Sequence, residues 1–152
     1  MSTIGIAETV KTTFSRQTTV STDIQADTSV IWALLTTADD YARWNSTVTL
    51  LEGKIALGET VKLKSILDAK RTFKLKVKEM EVNKKLAWGD AQGTRVYTLD
   101  QKTNGLVTFT MREKIGGLLF PLFAKMIPPF DESFERFAAD LKHEAELIMQ
   151  SK

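Results

Sequence analysis

Apolar and polar residues alternate in the first part of the chain and then give way to a helical pattern. Between Phe14 and Ile24 the alternation predicts a strand. Three residues with capping oxygens at 27–29 precede an apolar run, which predicts a short helix over 30–35. A second helical turn is predicted from Asp39 to Trp44, ending near Asn45.

A period of two returns near Val48 and persists to about Glu113. It is divided into six segments by short turns that contain Gly, Asn or Asp, which predicts an antiparallel meander with one apolar and one solvated face. The inward phases hold Val61, Leu63, Phe73, Leu75, Val77, Leu86, Trp88, Tyr97, Leu99, Val107, Phe109 and Met111. Residues 1–12 show no clear period, and we expect a loose or weakly paired lead-in there.

A long amphipathic helix is predicted from about Pro129 to Gln150. Its apolar residues recur at steps of four and three, and they are Phe130, Phe134, Phe137, Leu141, Ala145 and Ile148. Proline at the first helical position and acids in the first turn suit a helix N-terminus. The only large apolar surface available to this stripe is the inner face of the meander, so the pattern predicts an α+β fold.

Composition is that of one soluble globular domain. The chain has 152 residues, of which 43% are hydrophobic and 26% are charged, with a net charge of +2. That charge is too small to indicate nucleic acid, and no apolar run reaches the ~20 residues of a membrane-spanning helix. No signal peptide is recognised, and the absence of cysteine excludes disulfides and cysteine–metal sites. We expect a cytoplasmic protein.

The stretch IQADTSVIWALLTTADDYARWN, residues 24–45, resembles the START-like (SRPBCC) superfamily, which includes polyketide cyclase-like and lipid-transport domains. The resemblance lies in an apolar-x-Ala pair at a strand end, Val-x-Trp on the next helix, and an aromatic-x-x-Trp-Asn group. The matching residues are Ile24, Ala26, Trp32, Tyr41, Trp44 and Asn45. The resemblance covers roughly residues 18–150, and it departs from the family at Ser46, where proline is frequent.

This resemblance implies a helix-grip fold. Its curved antiparallel sheet of about seven strands wraps around the long C-terminal helix, with two short helices between the first two strands, as a single START-like domain over 1–152. Proteins of this type bind apolar or amphipathic small molecules between sheet and helix, and only some are enzymes. The matched motif is structural and carries no catalytic residues.

Residues typical of catalytic or metal sites are few. The sole histidine, His143, lies on the helix side opposite the apolar stripe and is expected in solvent. No EF-hand spacing, nucleophile elbow, P-loop or dinucleotide fingerprint occurs. We therefore expect no metal and no cofactor, and we assign no catalytic residue.

Polar residues on inward phases are the remaining candidates. A hairpin loop at 91–94 would pair Asp90 with Arg95, Trp88 with Tyr97 and Leu86 with Leu99. Arg95 then either forms a rim salt bridge with Asp90 or points into a cavity and orients a carboxylate or enolate. Tyr97 is either a core aromatic or a catalytic acid. Glu113, at a strand end, is expected in solvent.

The segment GGLLFPLFAKMIPPF, from Gly116 to Phe130, is unusually apolar for a connection. Its predicted inward face consists of Leu118, Leu119, Leu122, Phe123, Met126 and Ile127, which leaves Lys125 outside. Three interpretations are open: core filling, a lid and wall of a cavity, or a membrane-docking patch. We take the segment as a lid, with the glycine pair as hinge and Pro128-Pro129 as a rigid stop.

A basic surface is predicted on the solvated phase of the meander, formed by Lys62, Lys64, Lys74, Lys76 and Lys78. Readers of single-stranded nucleic acid interleave aromatic with basic residues, and this face has no aromatic residues. A charged edge that resists aggregation explains the lysines as well as an anionic partner does.

We therefore predict binding of a hydrophobic or amphipathic, lipid- or polyketide-like molecule in a cavity of roughly 300–1,000 Å³. The protein would be a carrier or sensor; the alternatives are a cyclase- or hydrolase-like enzyme using Arg95 and Tyr97, or a protein-interaction module. We expect no nucleic acid, no stable membrane insertion, and a monomer or weak homodimer. The predicted ligand contacts are Trp44, Leu63, Leu75, Trp88, Arg95, Tyr97, Phe109, Met111, Phe123, Met126, Phe130 and Phe134.

Overall fold

A computed structural model describes residues 5–152. The strands are β1 Glu8–Lys11, β2 Ser15–Ile24, β3 Val48–Glu52, β4 Thr60–Ser65, β5 Asp68–Glu81, β6 Lys85–Gly89, β7 Gly93–Thr103 and β8 Leu106–Gly116. The helices are α1 Thr28–Thr36, α2 Tyr41–Trp44, α3 Phe120–Phe123 and α4 Asp131–Gln150, with 3₁₀ turns at Ala38–Asp40 and Ala124–Met126. None of the helices between residues 5 and 152 is both long and apolar enough to cross a membrane.

The eight strands form one antiparallel sheet in the order β1-β2-β8-β7-β6-β5-β4-β3. The predicted six-strand meander is confirmed as β3 to β8, and the α+β helix-grip arrangement is confirmed with it. Within the expected loose or weakly paired lead-in, Glu8–Lys11 form a short strand paired with Arg16–Thr19. The sheet therefore has one strand more than the seven predicted. The rest of the lead-in includes residues 1–4, which lie outside the described part of the chain.

Helix α4 closes the inner face of the sheet. It begins at Asp131, two residues later than predicted, with Phe130 as its N-cap. Its buried residues are Ser133, Phe134, Phe137, Ala138, Leu141 and Ala145, which confirms the predicted stripe except at half-buried Ile148. Complete burial of a large side chain such as Phe137 contributes about 1.5–3 kcal/mol. His143 is exposed, as its helical phase predicted.

The residues of the 24–45 motif attach the short helices to α4. Tyr41 donates its hydroxyl proton to the Leu35 carbonyl at 2.7 Å. The buried Asn45 side chain accepts from the amide and hydroxyl of Thr47 and donates to the Phe137 carbonyl at 3.4 Å. Trp44 packs edge-on against the Phe137 ring, with 5.9 Å between centroids. The motif is thus a polar and aromatic clamp between α2 and α4.

The hairpin between β6 and β7 has a shorter loop than predicted. Trp88 pairs with Arg95, Leu86 with Tyr97 and Gly89 with Thr94, so the predicted register is wrong by two positions. The Asp90 carboxylate accepts from the amides of Gln92 and Gly93, which closes the loop within three residues. A Cβ at Gly89 would lie 2.2 Å from the Gly93 carbonyl oxygen, so this turn requires glycine. Asp90 is consequently not the partner of Arg95.

The phases of β5 are as predicted. Val77 is buried, Phe73 and Leu75 are half-buried, and Lys74 and Lys76 are exposed. Lys62 and Lys74 stand directly opposite each other on the solvated face of β4 and β5. Like charges at such positions destabilise a sheet slightly.

Candidate functional site

A cavity of about 170 Å³ lies between the inner face of β4–β8 and the chain from Met126 to Phe130. This volume is below the range predicted from the sequence. Its apolar wall consists of Leu63, Leu67, Phe73, Leu75, Trp88, Ile115, Met126, Ile127, Pro128 and Phe130. The other lining residues are Ser65, Asp68, Arg71, Gly89, Asp90, Gln92, Gly93, Arg95 and Glu113. Because Asp68, Arg71, Gln92, Met126 and Pro128 are exposed, they mark the mouth of the cavity.

An ion pair forms part of the cavity wall. Arg95 on β7 and Glu113 on β8 are paired residues, and the Arg95 Nε donates to the Glu113 carboxylate at 2.7 Å. The two side chains are only 17% and 18% exposed. Glu113 was expected in solvent, and this is wrong because β8 continues to Gly116 and keeps Glu113 within the sheet. The rim salt bridge with Asp90 is likewise wrong.

The guanidinium of Arg95 lies over an aromatic ring. Its carbon lies 5.0 Å from the ring centroid of Phe134 on α4. Burial is the largest single effect and lowers the Arg95 pKa, but the carboxylate of Glu113 and the hydroxyl of Tyr97 together outweigh it, so the Arg95 pKa is raised overall. Burial also raises the pKa of Tyr97, and the positive charge of Arg95 opposes that rise in part. Arg95 is therefore a fixed cation and Tyr97 a neutral phenol.

Two polar atoms beside this pair have no hydrogen-bond partner among residues 5–152. They are the indole nitrogen of Trp88 and the hydroxyl oxygen of Tyr97, and both are buried. Their rings meet edge to face at 5.4 Å. The Tyr97 hydroxyl still interacts with the side chains of Arg95 and Trp88, and of the two residues only Trp88 lines the cavity.

A second buried arginine fixes the chain that closes the cavity. Arg16 on β2 donates to the carbonyls of Ile127 at 3.2 Å and Pro128 at 2.8 Å. Its guanidinium carbon lies 4.8 Å from the Phe130 ring centroid. Burial lowers the Arg16 pKa, while Glu113 and Asp131 oppose that effect. The sequence analysis missed Arg16, although the inward phase of Val20 and Thr22 continues back to it.

The structure brings about half of the predicted contact residues to this cavity. Leu63, Leu75, Trp88, Arg95, Met126 and Phe130 line it. Met111 and Phe134 line a smaller void of about 20 Å³ together with Leu63 and Arg95. The lining residues that the prediction omitted include Arg71, Phe73 and Ile115, of which Phe73 shares the phase of Leu75 and could have been included.

The other four predicted contacts lie elsewhere. Tyr97 and Phe109 stack with Phe137 in the core, and Trp44 packs against Tyr41. Phe123 packs edge-on against Phe120 at 5.6 Å. As ligand contacts, all twelve residues stay predictions.

The segment before α4 does not have the predicted inward face. Leu118, Leu119, Leu122 and Met126 are 65–86% exposed, whereas Phe120 is buried. The predicted face needs a continuous helix, but α3 is a single turn followed by a 3₁₀ turn, so the apolar residues do not align. The end of the segment, from Met126 to Phe130, reaches the cavity wall, whereas Leu118, Leu119 and Leu122 do not line it.

Metal-ligating residues do not gather in the described part of the chain: residues 5–152 contain no cluster of three or more His, Cys, Asp or Glu that could hold a metal ion.

The comparisons with known proteins find the same fold at low sequence identity. No protein-family model and no curated protein matches the chain. The Zhui aromatase/cyclase from Streptomyces sp. R1128 superposes with a TM-score of 0.71 at 11% identity, over 89% of this chain and 96% of that one. A START superfamily protein from Mycobacterium smegmatis superposes with a TM-score of 0.65 at 12% identity, over 87% of this chain and 98% of that one. A conserved protein of unknown function from Enterococcus faecalis superposes with a TM-score of 0.68 at 13% identity, over 92% of this chain and 77% of that one.

The likeness at these identities is one of architecture, and it agrees with the strand order and the long closing helix. The chain adopts the START-like helix-grip fold.

Proposed function

We propose that the protein binds a small amphipathic molecule in the cavity between its sheet and the chain from Met126 to Phe130, and acts as a carrier or sensor. The observation that carries this proposal is the composition of the wall: ten apolar residues line the cavity with one half-buried ion pair, Arg95–Glu113, while Asp68 and Arg71 lie at the exposed mouth. Such sites combine an apolar surface with a few polar groups that orient the ligand.

The volume sets the size of the buried part of the ligand. A cavity of about 150 Å³ holds one benzene ring, and this cavity has about 170 Å³. A ring or a short branched chain would fill the cavity. The rest of a larger ligand would extend into solvent through the cavity mouth, where Arg71 and Met126 lie. Arg95 presents the polar contact at the inner wall.

A binding role is favoured over a cyclase- or hydrolase-like role by the state of the two candidate groups. Arg95 is already bound to Glu113, and Tyr97 does not line the cavity. An enzyme would need a proton donor or acceptor that reaches the ligand and is free to react. The Glu113 carboxylate lines the cavity but is held by Arg95. Conversion of a co-purified ligand to a product of different mass would favour the enzyme.

Fluorescence of anilinonaphthalene sulfonate, an aromatic anion, tests cavity binding when two variants are compared, because dye bound to exposed apolar surface is common to both. Leu75→Trp fills the cavity from β5 and is expected to weaken the binding of this dye about tenfold or more, because the apolar volume is lost. Thr72→Trp adds the same side chain at an exposed position of the same strand and is the matched control. Equal dye binding by both variants, at unchanged unfolding midpoints, would contradict the proposal.

Native mass spectrometry of the purified protein is the complementary experiment. A co-purified small molecule that is retained by the unmodified protein and by Thr72→Trp, and is lost in Leu75→Trp, would identify the ligand.

A further inference from the structure

We propose that one end of the molecule docks reversibly onto an anionic lipid bilayer. The contact surface, here called the apolar tip, consists of Phe14, Leu118, Leu119, Leu122 and Met126. It adjoins the cavity mouth, because Met126 belongs to both. Docking itself is independent of the proposed function; only its purpose, exchange of a ligand between bilayer and cavity, rests on that function.

The apolar tip concentrates exposed apolar side chains. Leu118, Leu119, Leu122 and Met126 are 86%, 65%, 80% and 81% exposed, and Phe14 is 51% exposed. The loop of Phe14 adjoins the segment, since the Gly117 amide donates to the Phe14 carbonyl at 3.0 Å. These five are nearly half of the exposed large apolar side chains among residues 5–152. Such contiguous surface marks an interaction site.

The exposure does not come from a loosely attached segment. Phe120 is buried in the hydrophobic core and holds α3 to the body of the molecule, and Phe123 of the same helix is packed against that core. At the other end Arg16 holds the carbonyls of Ile127 and Pro128. The backbone is thus anchored on both sides of Leu122, and the leucines are held outward.

Charge around the apolar tip favours a negatively charged surface. Residues 114–130 contain Lys114 and Lys125 and no acid. Of the acids that flank them, Glu113 is paired with Arg95 and Asp131 accepts from Thr9, while Glu132 and Asp68 at the cavity mouth are exposed. Lys11 lies at the same end of the sheet, since it pairs with Arg16, which pairs with Ile115. All three lysines are exposed, and in the described part of the chain none of them forms an ion pair.

This arrangement matches a bilayer interface better than a second copy of the chain. Apolar side chains at an interface enter the boundary of the acyl chains, while lysines meet anionic head groups. A two-fold dimer through the apolar tip would bring the same patch of each copy together, and with it the same lysines. Like charges would then oppose the contact.

Co-sedimentation with vesicles tests the proposal without any cavity ligand. We expect binding to vesicles of equal parts phosphatidylcholine and phosphatidylglycerol, and little binding to phosphatidylcholine alone. Leu118→Ser/Leu122→Ser should weaken binding to the anionic vesicles about tenfold or more, because the two leucines that would enter the bilayer are lost. Leu57→Ser/Val82→Ser is the matched control, since these residues are 66% and 67% exposed and lie outside the apolar tip.

A charge reversal tests the electrostatic part of docking, the attraction of the lysines to anionic head groups. Lys125→Glu should weaken binding to the anionic vesicles about tenfold, and added salt should weaken binding by the unmodified protein. Lys74→Glu, on the solvated face of β5, is the control and should have a smaller effect. Leu75→Trp, which fills the cavity, should dock as the unmodified protein does, so failure of docking and failure of cavity binding are separate results.

Three outcomes would overturn the proposal. The first is no binding to the anionic vesicles. The second is binding that survives Leu118→Ser/Leu122→Ser but is lost in Lys74→Glu, which would assign it to the basic face of the sheet. The third is concentration-dependent dimerisation that this double variant abolishes, which would assign the apolar tip to a second copy. Unchanged unfolding midpoints of the variants would establish that each result concerns the surface and not the fold.

Discussion

Arg95 and Glu113 face each other on neighbouring strands, joined by a 2.7 Å hydrogen bond in a wall that is otherwise largely apolar. Removal of two charges from water costs free energy, which their attraction offsets only when the geometry is good. The pair therefore contributes little net stability, but either charge alone would be unfavourable at this depth. Loss of one charge should therefore destabilise the protein more than loss of both, which can be tested.

Glu113→Gln is expected to destabilise the protein by about 3 kcal/mol, because it leaves the Arg95 charge without its counter-ion. Replacement of both partners, Arg95→Met with Glu113→Leu, should have a much smaller effect. Urea unfolding of the two single variants and the double variant measures the coupling. A loss below about 1 kcal/mol for Glu113→Gln would show that solvent already screens the pair.

Arg16→Lys should loosen the chain that closes the cavity. A lysine lacks the planar fork that donates to the carbonyls of Ile127 and Pro128 together. Amide exchange over residues 122–127 should then become faster, while exchange over Phe134–Leu141 stays slow. Arg112→Lys, at an exposed position of β8, is the control. Equal acceleration in α4 would instead indicate a global loss of stability.

Glu146 should contribute stability that is lost in acid. Burial raises its pKa, but hydrogen bonds from the Gln25 amide and the Lys142 ammonium group, both at 2.8 Å, outweigh this and lower the pKa overall. A group whose pKa is lower in the folded state stabilises the fold above its unfolded pKa, about 4.3 for glutamate. That stability disappears as the pH falls through the folded pKa.

Glu146→Gln should accordingly be less stable than the unmodified protein at neutral pH and nearly as stable at about pH 3. Urea midpoints at the two pH values measure the difference. Glu59→Gln at an exposed position should change neither midpoint appreciably. A constant deficit of Glu146→Gln at both pH values would show that its effect does not arise from ionisation.

His143→Ala is expected to change the free energy of unfolding by no more than about 0.5 kcal/mol, because the side chain is exposed. Binding of the fluorescent dye should also stay the same. Loss of dye binding would show that this face of α4 takes part in ligand contact.

The fold could be predicted from periodicity because each predicted face is long. The alternation across β3–β8 and the stripe from Phe134 to Ala145 extend over many residues, so an error at one position does not change the phase. Short-range geometry was harder to predict. The carboxylate of Asp90 shortens the β6–β7 loop, and that single interaction moves the register by two positions.

The site was predicted only in part, since its key contacts join distant parts of the sequence. Arg16 lies more than a hundred positions before the carbonyls of Ile127 and Pro128 that it holds. Arg95 and Glu113 lie on consecutive strands, and only the exact register of β7 and β8 makes them partners. The apolar content of residues 118–127 indicated a special segment but gave no direction for its side chains. Anchoring by Phe120 and Arg16 determines that direction, and no local pattern reports it.

The position of β8 beside β2 has a consequence for the order in which the molecule folds. All ten residue pairs between these strands span more than eighty positions of the chain. Hairpins from β3 to β8 can form successively as the chain is synthesised. Strand β2 has only the short β1 as an early partner, and on its other side it must wait for the last strand; such long-range closure is slow. A ribosome-bound chain that ends before Leu106 should therefore stay sensitive to protease within residues 15–24. Until β8 is synthesised, Val20 and Ile24 lack their partners Met111 and Val107 on that strand, which leaves β2 open to misassociation during synthesis.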